Sequence, residues 1–289
     1  MAALETAWSR TTGIAVPVVN APMGGVAGGA LAAAISRAGG LGMIGIGSAG
    51  SVDKLEAQLH HVADLDRPFG IGLVDVSMIV EPQLLRTAIA ARPAMLAVSF
   101  AGSWDWIHQV HDAGIVAATQ IGDLAGALRA VDAGVDVIVA RGAEGGGHGR
   151  PQVGTLPLLT EVLDHVTVPV LAAGGISSGR GLAAVLAAGA SGAWLGTAFS
   201  ACTESLASEQ TRQALLAARD TDTVLTRDFD VAAGYQWPAD IPERVLRNQP
   251  TSINAGQGVA ALTSIRSAGE TLDELCAHAA ELLGRWAQA

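Results

Sequence analysis

Short apolar runs alternate along the chain with longer segments rich in Ala and Leu. A continuous apolar run bounded by turn residues is typical of a strand buried on both faces, and the longer segments have the spacing of helices. The predicted strands cover residues 16–21, 41–46, 69–74, 94–100, 115–119, 135–140, 168–173 and 192–195. The predicted helices cover residues 29–38, 52–63, 82–91, 104–113, 123–133, 156–165, 178–188, 197–218 and 269–286.

Eight strands, each followed by a helix, favour an α/β fold of the closed (β/α)8 TIM barrel type. Ala-Gly pairs end several of the predicted helices, at Gly39, Gly114, Gly134 and Gly189. Glycine just past the last helical residue is the expected left-handed terminator. A doubly wound open sheet is the alternative, but no stretch of the sequence is marked as one of its edge strands.

The alternation of strands and helices stops after Gly196. Residues 221–250, called the lid segment, are polar and carry Phe229, Tyr235 and Trp237. An insertion after the eighth strand would lie on the C-terminal face of a barrel, where loops form the active site. We therefore predict that residues 1–220 and 251–289 form the barrel and that the lid segment covers its C-terminal face. An insertion without ligand contacts is the alternative.

Composition excludes several classes of partner. Half of the 289 residues are hydrophobic, and the formal net charge of −10 argues against nucleic acid and anionic membranes. No apolar run reaches transmembrane length, and residues 1–10 lack the pattern of a secretory signal. Cys202 and Cys276 form no metal or disulfide motif, which favours packing roles in a reducing, cytoplasmic compartment. The oligomeric state stays open, with a homo-oligomer among the alternatives.

The sixth predicted strand runs into residues 142–149, called the glycine loop, with the sequence Gly-Ala-Glu-Gly-Gly-Gly-His-Gly. Glycines allow positive φ and a close approach of the main chain to a ligand. An imidazole can exchange a proton near neutral pH, so His148 is the best candidate for a catalytic side chain. Glu144 is the second candidate base, or alternatively a brace for the loop.

Two other strand ends predict a phosphate site. Gly174 and Gly175 follow the seventh strand, and Gly196 and Thr197 follow the eighth. In (β/α)8 enzymes a phosphate frequently binds between these two loops through main-chain N–H groups. The Thr197 hydroxyl could add a donor, and neither loop carries the lysine of a nucleoside triphosphate site.

The first and fifth strand ends add groups suited to a flat ring. The turn at Ala21, Pro22 and Met23 can lay main chain against a ring, and the Gln120 amide can bond to a ring carbonyl or nitrogen. Core packing of Met23 and capping by Gln120 are the alternatives. A flat heterocycle with a phosphate tail suits this combined set.

These motifs together resemble the nitronate monooxygenase family, also called 2-nitropropane dioxygenases. The resemblance rests on Asn20-Ala-Pro-Met-Gly-Gly, Ala38-Gly-Gly-Leu-Gly, the glycine loop, Ala172-Ala-Gly-Gly-Ile, Leu195-Gly-Thr-Ala-Phe and Arg247-Asn248. It implies a barrel that binds flavin mononucleotide (FMN) and oxidises nitronates or nitroalkanes with dioxygen to carbonyl compounds and nitrite. The small-molecule substrate and dioxygen would then be the partners of the protein.

The resemblance also implies a role for each site residue. Pro22 and Met23 would lie against the isoalloxazine, with Gln120 on its pyrimidine side. Gly147 would lie beside the ring, and His148 would take a proton from the nitroalkane or orient the nitronate. The phosphate would be bound by the remaining positions, which are Gly174, Gly175, Gly196 and Thr197.

The chain departs from the family pattern at three points. The loop has glycine at 145 where alanine is usual, Arg141 stands where many members have glutamine, and the third strand ends in Gly-Ile-Gly-Leu without the usual asparagine. FMN-dependent enoyl-acyl-carrier-protein or quinone reductases that use NAD(P)H share the same motifs. A flavin-free lyase or isomerase and a non-catalytic FMN-binding module are further alternatives.

Other candidate residues are weaker. His108 and His111 could share a metal on one helix, but no carboxylate or cysteine completes that set. Trp104 and Trp106 could line a substrate pocket or pack under a loop. His60 and His61 most simply belong to a solvated helix face.

Overall fold

The computed structural model describes residues 4–287, and within them eight strands form a parallel barrel. The strands within residues 4–287 are β1 (Val18–Asn20), β2 (Gly42–Ile46), β3 (Phe69–Val74), β4 (Met95–Ser99), β5 (Val116–Ile121), β6 (Val137–Arg141), β7 (Gly147–His148), β8 (Val170–Ala173), β9 (Gly192–Leu195), β10 (Thr223–Thr226) and β11 (Glu243–Leu246), of which β7, β10 and β11 lie outside the barrel. The barrel order is β1-β9-β8-β6-β5-β4-β3-β2. The predicted (β/α)8 barrel is confirmed. Residues 1–3 and 288–289 of the predicted barrel domain lie outside the described residues. Residues 1–3 also belong to the stretch 1–10, whose sequence lacks the pattern of a secretory signal.

The ring closes between β1 and β2. A parallel bridge joins Val19 to Leu41, and the fully buried Asn20 completes the seam. Its amide nitrogen donates to the Met43 carbonyl at 2.9 Å, and its amide oxygen accepts from the Met43 N–H at 2.7 Å. Because a buried amide needs both partners, these bonds hold the end of β1 at the barrel mouth.

Side chains of the barrel strands alternate between two cores. On β4, Met95 and Ala97 point into the barrel, whereas Leu96 and Val98 pack under the surrounding helices. Successive side chains of a strand point to opposite faces, so Ser99 faces inward at the mouth. The same alternation turns Gln120 of β5 and Arg141 of β6 inward at their strand ends.

Helices surround the barrel. They are α1 (Ala7–Thr12), α2 (Gly29–Arg37), α3 (Val52–Leu59), α4 (Asp75–Val80), α5 (Gln83–Ala90), α6 (Trp106–Asp112), α7 (Leu124–Asp132), α8 (Thr155–Leu163), α9 (Gly179–Ala187), α10 (Thr197–Ser200), α11 (Glu209–Ala217), α12 (Asp228–Ala233) and α13 (Ala268–Ala287). Four predicted terminators, at Gly39, Gly114, Gly134 and Gly189, have positive φ. Within residues 4–287, no helix has the length and apolarity to cross a bilayer.

The single helix predicted over 197–218 is wrong, because the chain forms α10 and α11 with a turn between them. Tertiary hydrogen bonds take the main-chain groups that a continuous helix would use. Thr203 N–H donates to the Arg266 carbonyl at 3.0 Å, and Leu206 N–H donates to the Val26 carbonyl at 2.9 Å. Ser208 then caps α11 through the Thr211 N–H.

The lid segment contains more regular structure than its sequence indicates. It carries β10, α12 and β11, and β10 and β11 pair in antiparallel fashion. The glycine loop contributes β7 as the third strand of this sheet, with His148 opposite Glu243. Strand pairing therefore joins the lid segment directly to the loop that carries the candidate base.

Candidate functional site

A cavity of about 920 Å3 opens at the C-terminal ends of the barrel strands. Ligand pockets have volumes of roughly 300–1,000 Å3, so this one has room for a large ligand. The ten residues predicted from the sequence all border it, namely Ala21, Pro22, Met23, Gln120, Gly147, His148, Gly174, Gly175, Gly196 and Thr197. The fold therefore brings together groups from five strand ends.

The main chain forms the cavity wall beyond β8. Gly174 and Gly175 have φ of +114° and +68°, backbone conformations that residues with a side chain rarely adopt. A Cβ atom at Gly174 would also lie 2.7 Å from Thr155 Oγ1 and 3.0 Å from the Gly142 carbonyl oxygen. The Thr197 hydroxyl accepts from the Gly256 N–H at 2.9 Å, which leaves its own proton to donate.

Pro22 is seated on glycines of two neighbouring strands. A Cβ atom at Gly72 of β3 would lie 2.2 Å from Pro22 Cγ, and one at Gly45 of β2 would lie 2.3 Å from the Pro22 carbonyl carbon. The Gly-Ile-Gly-Leu sequence of the third strand therefore accommodates the proline. Met23 borders the cavity, and its sulfur accepts a hydrogen bond from Ser200 Oγ at 3.3 Å.

Two buried arginines hold the glycine loop. Arg141 Nη2 donates to the carbonyl oxygens of residues 145–147 at 2.7, 3.1 and 3.0 Å. Arg244 donates from Nε and Nη2 to the Ala143 carbonyl at 3.2 and 3.0 Å. Both side chains are buried, where hydrogen bonds are stronger than in water. The arginines therefore order a loop whose composition would otherwise leave it flexible.

Glu144 braces the same loop against α8. Its carboxylate accepts from the Thr155 N–H at 2.9 Å and from the Thr155 hydroxyl at 2.8 Å. A carboxylate at the first turn of a helix accepts from a free N–H group and interacts favourably with the positive end of the helix dipole. These contacts support the brace rather than the second base.

His148 is held by the lid segment. Its Nε2 lies 2.9 Å from Asp230 Oδ2, and its ring stacks on Trp237 with centroids 3.9 Å apart and planes at 14°. Trp237 in turn contacts Phe100 edge to face at 5.0 Å. Phe100 has φ of +64°, a strained conformation for a bulky residue and one that is common near functional sites.

Asp230 determines which nitrogen of His148 carries the proton. An ionised carboxylate only accepts hydrogen bonds, so Nε2 must donate to it. The neutral imidazole then carries its lone pair on Nδ1, and the residue borders the cavity. Asp230 is buried, so little water competes for its hydrogen bond with the imidazole.

Glu243 adds a second carboxylate beside this pair. It is buried, borders the cavity and accepts from Ser252 Oγ at 2.7 Å through Oε2. Its Oε1 has no hydrogen-bond partner among residues 4–287. Burial raises the pKa of Glu243; the hydrogen bond from Ser252 opposes this shift, and the nearby charge of Asp230 adds to it.

The sequence did not point to Phe100, Asp230 or Glu243 as site residues. Asp230 lies 82 positions from His148, and no local motif connects the two. Trp237 was visible only as one aromatic of the lid segment. Of the other aromatic candidates, Trp106 is buried in the core between strands and helices, and the partly buried Trp104 packs against that core.

His111 gives no support to the metal alternative. Its Nε2 is bonded to Asp136 Oδ2 at 2.9 Å. This contact is half exposed to solvent and lies on α6, away from the cavity lining.

Comparison with known proteins identifies relatives over most of the chain. The sequence profile described as nitronate monooxygenase matches residues 5–82 and 80–236. A (3aS,4S,5R,7aS)-5-hydroxy-7a-methyl-1-oxo-octahydro-1H-indene-4-carboxyl-CoA dehydrogenase of Rhodococcus jostii is 36% identical, covering 85% of this chain and 67% of its own. A nitronate monooxygenase of Pseudomonas aeruginosa is 34% identical, covering 76% of each chain. The structure of FabK from Thermotoga maritima superposes with a TM-score of 0.86 at 26% identity, covering 98% of this chain and 99% of that one.

Proposed function

Because this chain belongs to the nitronate monooxygenase family of oxidoreductases, we propose that it is an FMN-dependent enzyme. Its reaction would oxidise nitronates or nitroalkanes with dioxygen to carbonyl compounds and nitrite. The observation that carries the proposal is the His148 imidazole at the cavity, oriented by Asp230 through Nε2. His148 is the proposed catalytic base, and Asp230 is a positioning residue.

The residues of the cavity suit FMN. Gly174 and Gly175 expose main chain where a phosphate would bind, and the Thr197 hydroxyl retains a proton to donate. Pro22 and Met23 would lie against the ring, with Gln120 and Gly147 at its edge. When bound, FMN supplies the electron-accepting ring that no side chain can replace.

The side chains then have separate tasks. The Nδ1 lone pair of His148 would take the α-proton of a neutral nitroalkane, breaking the C–H bond and leaving the electron pair on the nitronate. Asp230 would stabilise the imidazolium that results. The stacked indole of Trp237 limits rotation of the imidazole and excludes water from one of its faces.

An absorbance spectrum tests the cofactor, and anaerobic mixing tests the reaction. We expect a yellow protein whose released chromophore is FMN and whose visible band is bleached by propyl-2-nitronate but not by NADH or NADPH. Admission of air should restore the band and release nitrite. A colourless protein that does not take up FMN would refute the cofactor, and a flavoprotein inert to nitronates would refute the reaction.

A reductase is the second candidate, favoured by the match of FabK to nearly the whole chain. An FMN-dependent reductase of enoyl thioesters or quinones would be bleached rapidly by NADH or NADPH in the same experiment. The R. jostii relative is named for a carboxyl-CoA ester, so an acyl-CoA belongs among the tested substrates. A non-catalytic FMN-binding module would bind the flavin and respond to none of them.

We further propose a cytoplasmic location and small-molecule partners for the protein. The thiols of Cys202 and Cys276 are free and buried, which suits a reducing, cytoplasmic compartment. The partners would be a small-molecule substrate and dioxygen, with nucleic acid disfavoured by the net charge of −10.

A further inference from the structure

Arg141 is a buried cation whose charge is incompletely matched. Its side chain is 6% exposed, and none of the ion pairs within residues 4–287 includes it. Nη2 holds the glycine loop, but Nη1 has no hydrogen-bond partner among these residues. A buried charge without a partner is costly, so an anionic group of a ligand would compensate it.

The glycine loop is shaped around this guanidinium. A Cβ atom at Gly149 would lie 2.0 Å from Arg141 Nη1, and one at Gly145 would lie 2.8 Å from Nε. Burial, and then the nearby charge of Arg244, lower the pKa of Arg141 to about 10, so it stays charged at neutral pH. The extra glycine at 145 and the arginine at 141, the two loop departures from the family pattern, therefore belong together.

Arg141 stands in a row of polar groups at the barrel mouth. Ser99, Gln120 and Arg141 end the adjacent strands β4, β5 and β6, face inward and border the cavity. A hydroxyl and an amide beside a buried guanidinium offer donors, acceptors and a positive charge to the alternating polar edge of a pyrimidine ring. The proposed phosphate site is built from main chain at β8 and β9 instead.

We propose that the positive charge of Arg141, buried at the cavity wall, lies beside the pyrimidine edge of the flavin and stabilises the negative charge that this edge carries in the reduced state. The inference rests on the proposed FMN site. It makes Arg141 a determinant of the reduction potential, because a nearby positive charge favours the more negative form. The cation would thus favour electron uptake from the substrate.

The test compares wild type with Arg141→Gln and Arg141→Lys after reconstitution with FMN or riboflavin. We expect Arg141→Gln to lower the reduction potential, measured against a reference dye, and Arg141→Lys to retain most of it. In the wild type, reduced riboflavin should bind about 10- to 100-fold more tightly than it does in Arg141→Gln, while oxidised riboflavin changes little. In Arg141→Gln, binding of reduced FMN and of reduced riboflavin should weaken in parallel.

Arg244→Gln is the matched control, because Arg244 also holds the loop but does not border the cavity. A potential shift equal to that of Arg141→Gln would trace the effect to loop disorder and overturn the proposal. An unchanged potential in Arg141→Gln would also overturn the proposal. So would weaker binding of reduced FMN with binding of reduced riboflavin unaffected, which would place the guanidinium at the phosphate.

If Arg141→Gln does not fold, flavin binding by the wild-type protein still tests the proposal. Reduced riboflavin should then bind more tightly than oxidised riboflavin, and equal binding would overturn the inference. A protein that binds neither flavin would overturn both this inference and the proposed function, whereas a flavoprotein with a potential independent of Arg141 would overturn the inference alone.

Discussion

At the β8 and β9 end of the cavity, the wall is main chain and small residues, including Gly174, Gly175 and Gly196. At the other end, defined here by the glycine loop and the lid segment, the wall is made of side chains, including His148, Asp230 and Trp237. The first end needs only correct backbone conformation. The second end needs residues far apart in the chain to dock within hydrogen-bond distance. Changes at the first should therefore alter binding, and changes at the second should alter turnover.

The largest expected effect is at the side-chain end. Replacing His148 by Ala should leave FMN bound and cut kcat/KM for neutral nitroalkane by about 10²- to 10⁴-fold, because the base is lost. Preformed nitronate needs no proton abstraction and should lose much less. Parallel assays of nitrite release with both substrates measure the difference. Equal losses would argue against the role of base, and added imidazole should restore part of the lost rate.

The next largest effect is expected for Asp230→Asn. The amide can donate to Nε2 and so favour the tautomer with its proton on Nδ1, which removes the lone pair from the cavity. We expect kcat/KM for neutral nitroalkane to fall roughly 10- to 100-fold with FMN affinity unchanged, which is the worth of one hydrogen bond to a charged group. Asp228→Asn is the control, because Asp228 is exposed on the same helix. Similar losses in both variants would show that α12, and not the hydrogen bond, matters.

At the main-chain end, Gly175→Ala should weaken FMN binding by roughly tenfold or more, measured by fluorescence titration. Its φ of +68° disfavours a side chain, and the new Cβ would lie 2.9 Å from that of Glu144. Gly114→Ala is the matched control, with φ of +72° and open space around its Cβ. It should lower the melting temperature without changing FMN affinity. An unchanged affinity in Gly175→Ala would remove this loop from the phosphate site.

The smallest effect concerns stability beside His148. Burial raises the folded-state pKa of Glu243, so its contribution to stability is full below the unfolded pKa of about 4.3 and is lost as pH rises through the folded value. Glu243→Gln should therefore raise the melting temperature by a few degrees at pH 8, and the gain should shrink toward pH 4. Glu56→Gln, at an exposed position of α3, should show no such trend. A gain in melting temperature that does not depend on pH would show that ionisation of Glu243 is not its cause.

Prediction from sequence succeeded where the signal was local. The apolar runs and the terminating glycines predicted the barrel, because each strand and helix end depends on a few adjacent residues. The helix predicted over 197–218 failed because main-chain bonds to Val26 and Arg266 divide it. β7, β10 and β11 were missed because each is short and exists through pairing with distant strands.

From its sequence alone, the protein was assignable to a (β/α)8 barrel with glycine-rich strand ends and one imidazole beside them. Parallel strands place their C-terminal ends on one face of a barrel, so the grouping of those ends follows from the element order. Only the tertiary structure showed that Asp230 orients His148, that Trp237 stacks on it, and that Arg141 is buried with an uncommitted nitrogen. Those contacts depend on how side chains from separate segments pack in three dimensions, which no local pattern encodes.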